Sequence, residues 1–468
     1  MKSRWLPQPR QPLFPSPRAA RGQTLLLLLS FFQLQNAAWA AWSSTPTPSR
    51  SPPTVYSVNL SGKLAVRTAD PDSWAVSVDG IDRAYQLPGQ PADSDSGAAI
   101  GPGNYVALRC ILAGPLSTKC TAVTGVRIIA TPAPTPSSDV RLNILVMAIR
   151  LNATSVCNAL PAMSTAEVEE LYLGSDGFAD YLNNCSYGKM VVDRSIFKVV
   201  PVTVPCSSAI MSCDPDAIAS AARRALPTGN QVTSYSHLTY ILPLGITSCG
   251  WAGLGELPGF QSWLQPTADG EVKRNTVMQE LLQNFGLHPA WRNGVQYGDN
   301  STVMGSGNSC PSAPELSRLG WASPAAVLNS SSLPASTFSS FALRATYLGS
   351  KGVMVKITPD WLGAAYTKNI YLALRSRGGG DDSLPAQFSR KVSIHEAGTS
   401  IDSSGVMSYM DPIVSLIGVV NPNSAFTLPG YNLQIVTGDI RNTGRNILVK
   451  VCRYVDGPNE CIEPEPAQ

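Results

Sequence analysis

The sequence predicts an α+β protein in which a mixed helix-and-strand region is flanked by two β-rich regions. Three observations support this fold class. Residues 54–130 contain short alternating apolar runs, such as residues 74–78, separated by Gly and Pro turns. From residue 140 to about 345, apolar runs of strand length alternate with segments of helical periodicity. Residues 350–456 return to short strands with Gly, Asn and Asp turns, which is typical of a β-sandwich.

The N-terminus has the pattern of a secretory leader. The first forty residues hold five Lys or Arg residues and no acidic residue, followed by an apolar run that begins at Leu25. The small residues Ala38 and Ala40 occupy the two positions that a signal peptidase recognises, so cleavage is predicted before Ala41. The apolar run is shorter than the ~20 residues that span a bilayer, although an uncleaved anchor is the alternative. No later segment reaches that length, so no membrane span is expected after removal of the signal.

The remaining boundaries follow composition. Residues 41–53 are rich in Ser, Thr and Pro and are predicted to form a linker. The Pro-rich stretch 131–136 then separates a first domain, residues 54–136, from a second, residues 137–348. A third domain covers residues 349–468.

Individual elements can be placed within these regions. The segment 165–173 has helical spacing with Thr165 as a possible cap, and the segment 277–287 has an apolar face with Gly286 where a helix would stop. The predicted strands in the second and third domains cover residues 142–149, 238–243, 353–357, 370–374, 433–436 and 447–451.

Charge and cysteine content point to an oxidising compartment outside the cell. The chain has a formal net charge of +3, five of its positive charges lie in the leader, and no basic stretch follows, so no nucleic-acid partner is expected. Ten cysteines without a Cys-x-x-Cys motif are read as disulfides. Three close couples could each form a local loop, although the sequence leaves the connectivity open: Cys110/Cys120, Cys206/Cys213 and Cys452/Cys461. Five N-glycosylation sequons stand at Asn59, Asn152, Asn184, Asn300 and Asn329.

The segment that suggests chemistry is Q-E-L-L-Q-N-F-G-L-H-P, residues 279–289. With histidine at both glutamines it would read H-E-x-x-H-x-x-G. Residues at i and i+4 project from one helix face, so two side chains can hold one metal ion while the glutamate between them acts as general base. Glu280 occupies the position of the base, Gly286 allows the sharp turn after the helix, and Met304 lies where a methionine turn would follow.

On these residues the chain resembles the gametolysin (M11) metallopeptidases, a family of metzincin-like enzymes. Further segments are similar to landmarks of that family: residues 184–189, 249–254, 297–299, 319–321, 371–377, 380–382 and 392–395. The resemblance implies a metzincin-like zincin domain preceded by a propeptide-like region and followed by a β-sandwich-like domain. It also implies zinc as cofactor, and as partners the glycoproteins of an extracellular matrix or cell wall.

The sequence departs from the family pattern where the metal should bind. Gln279 and Gln283 replace the first two histidines, and the third ligand position holds Pro289, with His288 one residue early. The candidate ligands are therefore Gln279, Gln283 and His288. An amide oxygen is a weak zinc ligand and suits calcium or magnesium better, so zinc occupancy is doubtful and another divalent metal is possible. His237 or His395 could also be brought in by the fold. Two hypotheses follow: a metallopeptidase with reduced or absent zinc proteolysis, or an inactive pseudoprotease that binds matrix polypeptides.

Overall fold

The computed structural model describes residues 55–67, 73–78, 83–131, 138–246, 248–399 and 413–464. The predicted signal peptide and the predicted linker lie outside the described residues. Among the residues that are described, no helix combines the length and apolar character that a bilayer crossing needs.

The N-terminal part is an antiparallel β-structure built on alternating burial. In β1 the apolar side chains Leu60 and Leu64 are buried, and a core forms between them and residues such as Trp74 and Val106. The last two residues of β1, Val66 and Arg67, pair with the central part of the chain. The strands of this part are β1 (Ser57–Arg67), β2 (Ser73–Val78), β3 (Ala84–Gln86), β4 (Tyr105–Leu112) and β5 (Cys120–Ala130).

The central part is a mixed sheet with helices on both faces. Its strands are β6 (Val140–Leu142), β7 (Ile144–Asn152), β8 (Met190–Val192), β9 (Lys198–Pro205), β10 (His237–Ile241), β11 (Gly253–Leu257) and β12 (Gln261–Leu264). Its helices are α1 (Thr165–Leu173), α2 (Phe178–Ser186), α3 (Ser208–Met211), α4 (Pro215–Arg224) and α5 (Arg274–Asn284). The strand order β3-β2-β1-β11-β12-β10-β7-β9 joins the N-terminal strands to β7, β9, β10, β11 and β12 in one continuous sheet, and β6 and β8 form a separate two-stranded sheet.

The two faces of this sheet are set by the residues of β7. Ile144 and Val146 pack in one core with the apolar side of α5, while Leu145 and Met147 pack in a second core with α4. Because successive side chains of a strand point to opposite faces, α5 and α4 lie on opposite sides of the sheet. The apolar run of β7 is buried on both faces, as expected of a strand with parallel neighbours.

The C-terminal part consists of two sheets that share a core. Its elements are β13 (Ala290–Arg292), β14 (Val295–Gln296), α6 (Ala313–Arg318), β15 (Ala326–Leu328), β16 (Ser339–Arg344), β17 (Met354–Ile357), β18 (Lys368–Arg375), β19 (Lys391–Gly398), β20 (Val414–Val420), β21 (Ala425–Leu428), β22 (Leu433–Arg441) and β23 (Asn446–Arg453). The first sheet has the order β14-β13-β20-β19-β18-β17-β15 and the second β16-β23-β22-β21. Leu372 of the first and Val449 of the second lie in the same apolar core. The α+β class predicted from the sequence is confirmed.

Two local predictions are wrong in detail. Helix α1 has the predicted bounds, but its cap is Ser164, whose hydroxyl accepts from the amide of Glu167 while the Glu167 carboxylate accepts from the amide of Ser164. This reciprocal capping box satisfies two backbone donors, which Thr165 inside the helix would not do. Cys206 and Cys213 do not pair with each other, and each forms a disulfide with a cysteine elsewhere in the chain. The five disulfides are Cys110–Cys120, Cys157–Cys206, Cys185–Cys310, Cys213–Cys249 and Cys452–Cys461.

Candidate active site

Helix α5 carries Gln279, Glu280 and Gln283 on the side that faces β11 and the loop 301–305. The opposite side of the helix packs in the core, which explains the apolar residues of the predicted pattern. The helix ends where the sequence predicted, because Gly286 adopts a left-handed φ of 86° and the amide of Leu287 donates to the carbonyl of Leu282 at 3.0 Å.

Gln279 connects helix α5 to the loop of residues 301–305, here called the methionine loop. Its amide Nε2 donates to the carbonyl of Val303 at 2.9 Å and to the carbonyl of Gly305 at 3.0 Å. Between these two carbonyls lies Met304, which is fully buried and whose own carbonyl accepts from the amide of Ala290 at 2.8 Å. Gln279 therefore acts as a hydrogen-bond donor to the loop that was predicted to lie below a metal ion.

Glu280 and Gln283 are covered by strand β11. Both side chains are buried, and the strand approaches them through two glycines. A Cβ at Gly253 would lie 2.6 Å from Glu280 Oε1, and a Cβ at Gly255 would lie 2.7 Å from Gln283 Oε1. The absence of a Cβ at both positions lets the backbone of β11 come close to the helix, and at Gly255 the contact includes the backbone oxygen of Glu280 at 2.8 Å.

Burial changes the chemistry of Glu280. Its Oε2 has no hydrogen-bond partner among the described residues, and burial raises the pKa of the carboxyl to about 8. The protonated form therefore predominates at neutral pH. Desolvation thus disfavours the ionised carboxylate, which is the form that acts as a general base.

His288 lies in a different environment from the two glutamines. It lines a small cavity with residues of α6, including Glu315 and Arg318, and with Ala397 and Val414. Burial, together with the positive charge of Arg318, lowers the pKa of His288 to about 3, so its imidazole is neutral. A guanidinium beside the ring also repels any second cation.

The residues present do not fit a zinc ion. Zinc sites in proteins are built from thiolate, imidazole and carboxylate ligands, usually four in tetrahedral arrangement. Here the amide donors of Gln279 point to carbonyls, Glu280 is desolvated, and His288 faces a guanidinium. Across the described part of the chain, no group of three or more His, Cys, Asp or Glu side chains could hold a metal ion.

The other two histidines have structural surroundings. His237 is buried in β10 and its ring stacks on Phe285, at 5.3 Å between ring centroids, just after α5. Burial lowers the pKa of His237 to about 4. His395 in β19 is fully buried, and its Nε2 lies 3.0 Å from Oδ2 of Asp299.

The pair of Asp299 and His395 is the feature of this site that sequence analysis did not assign. Oδ1 of Asp299 also accepts from the amide and the hydroxyl of Ser301, at 2.8 and 2.7 Å, so the carboxylate orders the start of the methionine loop. Burial raises the pKa of Asp299, but the bond and positive charge of His395 and the bonds from Ser301 outweigh burial and hold the pKa below its usual range. Both residues lie in segments that resemble landmarks of the family, and this resemblance is the sequence signal that could have identified the pair.

A second buried pair ties the same region to the C-terminal sheets. Arg375 of β18 donates to both carboxylate oxygens of Asp381, at 3.2 and 2.8 Å, and to the carbonyl of Cys310. The amide of Cys310 in turn donates to Asp381 Oδ1 at 2.9 Å. Cys310 is joined to Cys185 of α2, so this network connects the central and C-terminal parts.

Comparison with known proteins identifies the family. The family model of the gametolysin peptidase M11 matches residues 143–429, more than half of the chain. The chain belongs to the gametolysin peptidase M11 family. M11 peptidases are in general metal-dependent, in contrast to the donor set found on α5.

One curated relative is similar over a limited region. Autolysin from Chlamydomonas reinhardtii is 35% identical over 94 residues, which cover 18% of this chain and 15% of autolysin. No solved structure matches the chain.

Proposed function

We propose that this chain is a secreted member of the M11 family in which zinc proteolysis is absent or severely reduced, and which binds polypeptides of extracellular-matrix or cell-wall glycoproteins. The observation that carries the loss of activity is the amide of Gln279, which donates to the two carbonyls that flank Met304. Donation through Nε2 ties the side chain to the loop, and the only atom that remains to bind a cation is the amide oxygen Oε1, which is a weak ligand for zinc.

The size of the expected loss follows from the ligands. Disturbing a hydrogen-bond partner of a metal ligand typically costs about 10–100-fold in affinity or activity. Here Gln279 and Gln283 replace two ligands themselves, and the third ligand position is Pro289. The combined loss should therefore exceed about 10²–10⁴-fold, which leaves zinc too weakly held to drive proteolysis at trace concentrations.

Binding without cleavage has a structural candidate in a groove beside α5. The groove encloses about 840 Å³ between α1 and residues 269–275, and Asn308 also lines it. Met163 and Leu171 supply apolar contacts, and Glu167 and Glu170 supply negative charge. An open groove with an apolar floor and charged rim suits an extended polypeptide better than a small molecule.

One observation favours the second candidate, an M11 peptidase that uses another divalent metal. Glu280 Oε2 is buried and has no hydrogen-bond partner among the described residues. An oxygen-preferring ion such as calcium or magnesium could use a carboxylate with neighbouring amides, since these are the ligands that hard cations take.

The decisive experiment compares the natural chain with the variant Gln279→His/Gln283→His/Pro289→His. Both are purified from a secretory host, their metal content is measured by elemental analysis, and turnover of casein and gelatin is followed with zinc, calcium or magnesium added. We expect no stoichiometric zinc and no chelator-sensitive cleavage in the natural chain. Stoichiometric zinc with chelator-sensitive cleavage there would refute the proposal, and cleavage that needs calcium or magnesium would favour the second candidate. Adding Glu280→Gln to the restored variant controls for the base.

Polypeptide binding is tested separately with a proline-rich matrix glycoprotein immobilised on a sensor surface. Glu170→Lys reverses a charge in the groove, whereas Glu169→Lys makes the same change on the exposed neighbouring residue that does not line it. Binding by the natural chain that only Glu170→Lys alters would support the groove. Absence of binding, or equal effects of the two variants, would exclude it.

A further inference from the structure

A second cavity lies on the face of the sheet opposite α5, between the N-terminal strands and α4. Its volume is about 580 Å³, within the range of about 300–1,000 Å³ that ligand pockets occupy. One wall is formed by β1 to β4, the other by α4, and the turn between β11 and β12 closes the third side. None of the residues on the α5 site lines this cavity.

The wall of strands presents one lysine between hydroxyl groups. Lys63 of β1 lies directly opposite Ser77 of β2 and Tyr105 of β4 in the sheet register. Cross-strand partners have their side chains on the same face with Cβ atoms about 4.5–5.5 Å apart. The lysine and both hydroxyls therefore point into the cavity together, and Thr118 adds a further hydroxyl.

Two positive side chains of the cavity form no ion pair with the acids that line it. Lys63 and Arg83 have no ion pair and no side-chain hydrogen bond within the described part of the chain. Burial lowers the pKa of Lys63, whereas the nearby charge of Glu256 raises it. Lys63 is partly buried, so a bound anion would replace part of the hydration that its ammonium has lost, whereas Arg83 is exposed and supplies positive charge at the rim.

Each of the three acidic residues that line the cavity already has an ion-pair or hydrogen-bond partner in the protein. Asp216 pairs with the buried Arg67, whose guanidinium also lies 5.5 Å from the ring centroid of Trp263. Asp214 accepts from the backbone amides of residues 216 and 217 at the start of α4. Glu256 accepts from Gln261 Nε2 at 2.7 Å, and burial raises the pKa of its carboxyl.

The rim adds an aromatic surface. Phe260 is 46% exposed at the turn between β11 and β12, although it is a large apolar side chain. Across the cavity, Arg223 of α4 donates to Tyr240 Oη at 3.0 Å and to Gln261 Oε1 at 2.5 Å, which holds its guanidinium at the wall. An exposed ring beside hydroxyls and cations matches a sugar, which has an apolar face and a hydroxylated edge.

We infer that this cavity binds an acidic saccharide of about two sugar units, with its carboxylate or sulfate group on Lys63 and Arg83 and a sugar face on Phe260. The hydroxyls of Ser77 and Tyr105 then bond to the hydroxyls of the sugar. This site is independent of the proposed function, because it uses no residue of α5 or of the groove beside it.

The test measures binding of digalacturonate, of a sulfated chondroitin disaccharide and of neutral cellobiose to the full chain by calorimetry. We expect at least one acidic disaccharide to bind about tenfold or more tightly than cellobiose, since each charge-assisted hydrogen bond is worth about one order of magnitude. The two acidic ligands distinguish a carboxylate from a sulfate, and inorganic sulfate shows how much of the affinity is charge alone.

The variant Lys63→Gln/Arg83→Gln should weaken acidic disaccharide binding at least about tenfold, and Phe260→Ala should weaken it severalfold. The matched control is Arg150→Gln/Lys198→Gln, which removes the same charge from two exposed side chains outside the cavity. Circular dichroism and melting curves establish that each variant folds. Absence of saccharide binding at about 10 mM, equal weakening by the control, or stronger binding of an acidic peptide such as oligoglutamate would each overturn the inference.

Discussion

The close approach of β11 to α5 makes a sharp prediction about Gly255. A Cβ added there would lie 2.7 Å from Gln283 Oε1, 2.8 Å from the backbone carbonyl oxygen of Glu280 and 3.1 Å from Glu280 Oε2. The backbone oxygen cannot move without bending the helix. The strand cannot move either, because Gly255 pairs with Ser262 of β12. The substitution Gly255→Ala must therefore strain the site.

The size of the effect combines two opposing contributions. Forcing an extra methyl group into a packed interior costs about 1–3 kcal/mol of the free energy of unfolding. Replacing glycine by alanine also restricts the unfolded chain, which returns about 0.4–1 kcal/mol where the folded site has room. We expect a net loss of about 1–2 kcal/mol for Gly255→Ala. At a urea dependence of about 3 kcal/mol per molar, the unfolding midpoint falls by about 0.3–0.7 M.

The matched control is Gly250→Ala, just before β11. A Cβ at Gly250 meets no atom within 4 Å, and its φ lies outside the left-handed region. Its free energy of unfolding should stay within about 0.5 kcal/mol of the natural chain, or rise slightly. Both variants are compared by urea unfolding followed through tryptophan fluorescence. Equal midpoints for the two variants would show that β11 does not lie against Glu280 and Gln283, and the description of a covered site would be wrong.

Two further predictions concern the links between the site and the rest of the fold. Asp299→Asn leaves buried His395 without its charged partner and should cost about 3 kcal/mol in the free energy of unfolding. Because the folded-state pKa of Asp299 is lowered, its contribution to stability is complete above the ordinary carboxyl pKa near 4 and declines as the pH falls further. Urea unfolding at pH 6, 4 and 3 should therefore show a shrinking difference in the free energy of unfolding between the natural chain and the variant. A constant difference would contradict this assignment. Removing the disulfide Cys185–Cys310, whose cysteines are 125 residues apart, should lower the free energy of unfolding by about 5 kcal/mol. Removing Cys452–Cys461, whose cysteines are 9 residues apart, should lower it by about 2.6 kcal/mol. Similar losses for the two disulfides in urea unfolding would contradict the chain-entropy argument. The two pairs are Cys185→Ala/Cys310→Ala and Cys452→Ala/Cys461→Ala.

Local features of the fold could be predicted from the sequence because they depend on neighbouring residues. The helix at 165–173 has its predicted bounds, and Gly286 ends α5 because only glycine adopts its left-handed conformation easily. The disulfides 110–120 and 452–461 close short hairpin-like loops, so spacing was informative there. For Cys206 the spacing predicted the wrong partner. Its partner is Cys157, which lies 49 residues earlier in the sequence, shortly after β7.

The arrangement of the site could not be predicted, because it depends on which strand covers the helix. The residues G-L-G at 253–255 did carry a signal, since glycines two apart in a strand lie on one face and allow another element to approach closely. Nothing in the local sequence tells that the approaching element is α5. The surroundings of His288 could not be predicted either. Its place one residue before the expected ligand position gives no information about Arg318 of α6, whose positive charge acts on its imidazole.

Two buried networks outside the candidate ligand positions help to hold this architecture together. The pair Asp299–His395 orders the methionine loop, and the network of Arg375, Asp381 and Cys310 joins the loop's surroundings to the C-terminal sheets. Both networks are built from protein groups, and His395 Nδ1 and Arg375 Nη1 are buried without a hydrogen-bond partner among the described residues. Gln279 adds two hydrogen bonds of its own to the loop, where a neutral imidazole has a single N–H to donate. Glutamine at this position therefore stabilises the loop through two hydrogen bonds, which supports the proposal that an M11 fold can persist without the chemistry of its ion.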